Sequence, residues 1–141
     1  KGPFDRSKKT VSEEEIFKVL GLSYIPPELR ENKGEFEAAE KKQLPALIEE
    51  SDIRGTFHNH TTASDGKNTL MEMVAAAQKL GWAYLGIADH SKSSFQANGQ
   101  SPEQLLKQLE EIRKLNASKK FHTYVFAGVE CDILPNGKLD F

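Results

Sequence analysis

The sequence holds a single cysteine, Cys131, in 141 residues, so no disulfide can form within the chain and a reducing compartment suits it. Long apolar runs are also missing. No stretch approaches the roughly 20 residues that a membrane span requires, and the opening Lys1-Gly2-Pro3-Phe4 lacks the basic-then-apolar layout of a signal peptide. A cytoplasmic protein without membrane contact is therefore expected. Charge of one sign is scarce too: 19 Lys plus Arg stand against 21 Asp plus Glu, for a net charge of −2. That balance argues against nonspecific electrostatic capture of nucleic acid by the chain as a whole, while leaving room for a local basic groove. No internal repeat or low-complexity segment occurs. What is present, 38% hydrophobic and 28% charged residues, is the composition of a globular chain that builds a core without staples.

The chain changes character near residue 50. Before it there is one well-marked helix, where Ser12 and Glu15 form a capping box and Ile16, Val19 and Leu20 share a face, with Gly21 as the stop. Pro26-Pro27 then forbids a helix through the pair and favours an extended segment. Glu35 to Glu40 reads as a short exposed helical turn, and Leu44 to Ile48 as a few buried anchors in a docking linker without a core of its own.

From residue 52 the spacing becomes that of βαβ units. Ile53 to Phe57 reads as a strand. A helix follows, capped by Thr69 with Glu72, its stripe formed by Leu70, Met73, Val74, Ala77 and Leu80, and Gly81 closes it. Trp82 to Ala88 is a nearly continuous apolar strand of the kind buried on both faces. Ser101-Pro102-Glu103-Gln104 opens a second helix carrying Leu105, Leu106, Leu109, Ile112 and Leu115, and Thr123 to Ile133 reads as a third strand.

Polar residues gather at the carboxyl ends of these strands, where α/β folds place their chemistry. His58 and His60 follow the first strand, Asp65 lies in the loop beyond, Asp89 and His90 end the second, and Glu130 lies late in the third. Strand alternation points His58 and His60 to one side, and imidazoles with carboxylates suit a divalent metal such as zinc or manganese. Each motif alone has a plainer reading. His-x-His arises as a water-facing strand end, Ser64-Asp65-Gly66 as a turn, and Asp89-His90-Ser91 as a strand exit. Glu130 follows an apolar run in which a charge needs a partner. Three successive strands delivering ligand-type residues at one end are a stronger signal than any one of them. His122 and Lys92 read as surface residues, Trp82 and Phe126 as core, and Cys131 as facing away from Glu130.

At these residues the sequence resembles the polymerase and histidinol phosphatase (PHP) domain family. His58-Asn59-His60-Thr61-Thr62-Ala63-Ser64-Asp65-Gly66 is similar to its first motif, Ala88-Asp89-His90-Ser91 to its second strand exit, and Gly128-Val129-Glu130-Cys131-Asp132-Ile133 to a later one. Thr56-Phe57 departs from the Asp-Leu usual before the first His. Gly21 to Glu31 resembles the segment ending the polymerase module of bacterial and archaeal family X DNA polymerases. The resemblance implies an α/β fold: a helical and extended linker, residues 1–50, ending a polymerase module, then residues 51–141 as the first part of a distorted TIM-like (β/α) barrel of PHP type. A complete barrel takes about 250 residues, so three of its βα units are expected here.

The resemblance further implies a metal-dependent phosphoesterase acting as a 3′-5′ exonuclease at DNA 3′ ends in repair, within a protein that is also a DNA polymerase. DNA is then the partner, through the parent protein. His58, His60 and Glu130 are the implied catalytic metal ligands, with Glu130 bridging, and Asp65 and His90 resemble ligands of a further ion. Up to three manganese or zinc ions are implied for the complete domain, with the remaining ligands expected beyond Phe141. The alternatives are a PHP phosphomonoesterase of a small metabolite such as histidinol phosphate, which the Pro26-Pro27-Glu28-Leu29-Arg30-Glu31 segment disfavours, and a noncatalytic fragment.

Overall fold

The computed structural model describes residues 11–141, and the chain divides into two compact units with the break after Ile48. In the first, helix α1 (Glu13–Val19) starts at Ser12, whose hydroxyl accepts the Glu15 N–H while the Glu15 carboxylate accepts the Ser12 N–H, both at 3.3 Å. Gly21, at φ +71°, lets the chain leave the helix. Phe17 and Tyr24 meet edge to face at 5.4 Å, and the Arg30 guanidinium lies over both rings while donating to the two carboxylate oxygens of Glu13 at 3.2 and 2.7 Å. Pro27–Leu29 forms a single 3₁₀ turn.

Two expectations for this segment are corrected. Helix α2 (Glu35–Glu40) is not simply exposed: Glu35 and Ala39 are buried, because the Glu35 carboxylate folds back to accept the N–H groups of Asn32 at 2.9 Å and Lys33 at 2.7 Å. The anchors expected at 44–48 are not buried; Ile48 is 84% exposed. Ile25 and Ala39 form the buried apolar positions instead, so this segment has a small interior of its own.

The second unit runs β1 (Gly55–Asn59), α3 (Leu70–Lys79), β2 (Tyr84–Ile87), α4 (Pro102–Ser118) and β3 (Tyr124–Ala127), with all three strands parallel in the order β1-β2-β3. The local signals explain the helices. Thr69 with Glu72, and Ser101 with Gln104, complete reciprocal capping boxes. Their apolar stripes then pack on one sheet face, giving a core of Val74, Ala77, Leu85, Ile87, Ile112 and Val125, bordered by Leu70, Met73, Trp82, Leu115 and Phe121. Among the described residues no helix is long and apolar enough to cross a membrane.

The opposite sheet face carries a cluster of rings, Phe57 against Tyr84 at 5.1 Å and Phe126 at 5.4 Å, with Tyr124 and Phe126 at 4.9 Å. Phe126 is therefore not a core residue as expected. It is 45% exposed, because alternation along β3 gives the inner position to Val125. The Phe57 ring lies so close over Gly86 that any side chain there would collide with it, which explains a glycine in the central strand.

Candidate metal centre

Parallel strands bring their carboxyl ends to one edge, and an irregularity in β1 shapes what is presented there. The β1–β2 register shifts between Thr56 and Asn59, and His58 sits at φ +64°, a left-handed conformation that a non-glycine residue adopts at a cost of about 1–3 kcal/mol. Simple alternation is thus not what aims the two histidines together. The bulge re-aims them, and their rings lie face to face at 5.4 Å with 14° between planes. Beyond His60 the chain turns tightly, with the Thr61 carbonyl accepting the N–H groups of Ser64 and Gly66. Gly66 lies against the His60 carbonyl, leaving no room for a β-carbon. The third strand is shorter than expected, yet pairing resumes at an isolated bridge between His90 and Glu130.

The structure brings all five expected site residues together. Glu130 Oε2 lies 2.8 Å from His58 Nε2, 3.0 Å from His60 Nε2 and 3.6 Å from His90 Nδ1. Asp65 Oδ1 lies 2.7 Å from His60 Nδ1, and Asp65 Oδ2 lies 3.6 Å from His90 Nε2. The hydrogen bond from His58, reinforced by the charges of the neighbouring imidazoles, holds the Glu130 carboxyl below its ordinary range. His60 does the same for Asp65. Two sets of donors each converge within 4.8 Å: His58, His60 and Glu130, and His60, Asp65 and His90.

Their chemistry fits a divalent cation. A neutral imidazole carries one proton. If His60 Nδ1 donates to Asp65, its Nε2 lone pair faces the Glu130 carboxylate at 3.0 Å, an arrangement that calls for a positive charge between them. Among the described residues, the buried His90 Nδ1 has no hydrogen-bond partner, the condition of a ligand nitrogen whose partner is an ion. His60 belongs to both sets, whereas the sequence grouped it with His58 and Glu130 alone.

Sequence reasoning missed the polar network beneath this cluster. Asp89 is completely buried and accepts from the Thr61 N–H, the Thr61 and Ser64 hydroxyls and the Gln108 amide. Burial pushes its carboxyl pKa upward, and these four bonds together bring it below the ordinary aspartate value. The available signal was Gln108 itself, a polar residue three positions after Leu105 and four before Ile112 on the buried face of α4.

Residues rated low by sequence lie elsewhere. The His122 N–H donates to the Gln78 side chain, Lys92 is exposed, and the Cys131 thiol donates to Asp140 Oδ1 at 3.1 Å. Burial and the Asp140 carboxylate raise the pKa of that thiol. Asp140 is itself buried; burial opposes its ionisation, but the Ser93 N–H at 2.8 Å and the Cys131 thiol outweigh it and depress its pKa well below the usual value. A depressed folded-state value stabilises the fold above the unfolded value of about 3.9, and that stability is lost as pH falls through the lower folded value. Asp140→Asn should accordingly flatten the loss of stability between neutral pH and pH about 3, as read by urea unfolding at both. An unchanged slope would refute the assignment.

The strand order and this edge define an α/β protein with a candidate metal centre at the carboxyl ends of a parallel sheet. The sequence model of the PHP domain matches residues 56–139, more than half of the chain, and that of the DNA polymerase beta thumb matches residues 4–31. The chain belongs to the PHP domain family. It is 43% identical over 131 residues to the DNA polymerase/3'-5' exonuclease PolX of Bacillus subtilis (strain 168), covering 92% of this chain and 22% of that relative. The chain thus spans about a fifth of the length of the curated relative it matches.

Proposed function

We propose that this chain is the phosphoesterase region of a family X DNA polymerase, removing nucleotides from DNA 3′ ends with the help of divalent metal ions. Residues 1–50 then end the polymerase module and lead out of it, and residues 51–141 open a PHP barrel whose first three strands are β1, β2 and β3. The observation that carries the reading is Glu130 Oε2 facing three imidazoles at one sheet edge, in a chain similar to a polymerase named for 3'-5' exonuclease activity.

In this reading His58, His60 and Glu130 hold one cation, and Asp65 and His90 contribute to holding a second, with manganese or zinc suited to the donors. When bound, such ions supply an acidified water and neutralise charge on the phosphate during in-line attack. The chain's own part is to present unprotonated imidazoles, to keep Asp65 and Glu130 ionised, and to hold the donors at fixed spacing. Because protonated imidazole cannot ligate, activity should fall as the medium is acidified.

The test strips the intact protein with a chelator and offers it 3′-labelled DNA and histidinol phosphate in parallel. Added manganese should restore release of 3′ nucleotides and leave histidinol phosphate untouched. The opposite pattern would replace this reading with a metabolite phosphatase, and hydrolysis of neither would remove the catalytic assignment.

A further inference from the structure

Asp89 is a buried anion for which no basic side chain serves as partner among the described residues. Such a charge is expensive to bury, and it is tolerated here because Oδ1 accepts from the Thr61 N–H and the Ser64 hydroxyl, each at 2.6 Å, and Oδ2 from the Thr61 hydroxyl at 2.8 Å and Gln108 Nε2 at 2.6 Å. The identity of these donors matters. Thr61 follows His60, Ser64 precedes Asp65, and Asp89 itself precedes His90. Its carbonyl, in addition, accepts the N–H of Glu130 at 3.1 Å. One residue therefore touches the immediate neighbour, or the backbone, of four of the five residues in the candidate centre. The fourth donor ties this hub to α4, and the Gln108 Oε1 in turn accepts from buried Gln100 at 3.1 Å.

We propose that Asp89 is a positioning residue: its carboxylate and carbonyl set the spacing of His60, Asp65, His90 and Glu130, and thereby the affinity of the cluster for a divalent cation. The proposal rests on the metal reading of the cluster. Stability alone does not account for the arrangement, since replacing a buried polar group and its partners by apolar residues is frequently neutral or stabilising. A carboxylate with four donors directed at the loop and strand flanking the ligands constrains geometry in a way that an apolar plug does not. An asparagine at 89 would keep the shape but turn one acceptor oxygen into a donor, setting an NH2 group against two donors.

Cobalt(II) is a suitable probe, because its visible absorption reports ligand number and geometry independently of turnover. Titrated into the intact protein, it should produce a ligand-field spectrum. Asp89→Asn should weaken cobalt binding by about 10- to 100-fold and alter that spectrum. Val74→Ala, which opens a cavity in the core and removes none of the Asp89 hydrogen bonds, should lower stability and leave both cobalt readings unchanged. Gln108→Leu removes the α4 donor to Asp89 and leaves the Thr61 and Ser64 donors in place, and should weaken binding in the same direction by less; it decides the matter if Asp89→Asn does not fold. Wild-type affinity and spectrum in the folded Asp89 or Gln108 variant would overturn the proposal, as would an equal loss in Val74→Ala. A wild-type protein that binds no cobalt would overturn the metal reading itself, an outcome distinct from variants that bind as well as wild type.

Discussion

Glu130→Ala is expected to lower phosphoester hydrolysis by the intact protein by about 10²–10³-fold, the scale seen when one preorganised electrostatic group is removed from a reacting centre. Elemental analysis should find less bound manganese or zinc. The reason is local. Glu130 Oε2 is faced by His58, His60 and His90 within 2.8 to 3.6 Å, so its removal leaves Asp65, against the far sides of His60 and His90, as the remaining carboxylate of the cluster to balance a cation. On the family X polymerase reading proposed above, nucleotide insertion by the same protein should persist, because Glu130 stands in the metal cluster assigned to hydrolysis. Equal metal content in wild type and variant would sink the ligand role of Glu130. Lost insertion with retained hydrolysis would show that the two activities are assigned to the wrong parts.

The largest effect on stability should come from Leu85→Ala. Leu85 is 1% exposed and sits on β2, the central strand, paired with Thr56 on one side and Val125 on the other, so neither neighbour can close the space without breaking register. A loss of about 2–5 kcal/mol follows from the deleted apolar surface and the residual cavity, a large share of the 5–15 kcal/mol typical of a domain. Leu106→Ala, at a position 64% exposed on α4, is the matched control and should change stability by less than about 0.5 kcal/mol. Urea unfolding followed by circular dichroism reads both. Comparable small losses would mean that the sheet core contributes less than its burial implies.

Helices were legible from sequence because their signals are local. Ser12 with Glu15, Thr69 with Glu72 and Ser101 with Gln104 each close a box between residues three apart, and the stripes of α3 and α4 repeat within a turn. Strand ends were less legible. β1 begins at Gly55 rather than Ile53, and β3 stops at Ala127, since a strand is delimited by the partner that accepts its hydrogen bonds rather than by its own side chains. The apolar letters at 44–48 and at Phe126 misled for the same reason: burial depends on what lies opposite.

The candidate centre divides along the same line. Sequence by itself determined which residue types stand at the strand ends, His58, His60, Asp65, His90 and Glu130, and hence the kind of ion they suit. Tertiary structure alone decided that residues 72 positions apart, His58 and Glu130, meet at 2.8 Å, and that a bulge with left-handed His58 aims the pair. It also decided that His60 serves two donor sets, and that buried Asp89 joins the loop, two strands and α4 beneath them. Capping and periodicity are written in neighbours along the chain, whereas the distance between ligands is set by strand register and by a hydrogen-bond network that exists only once the sheet has formed.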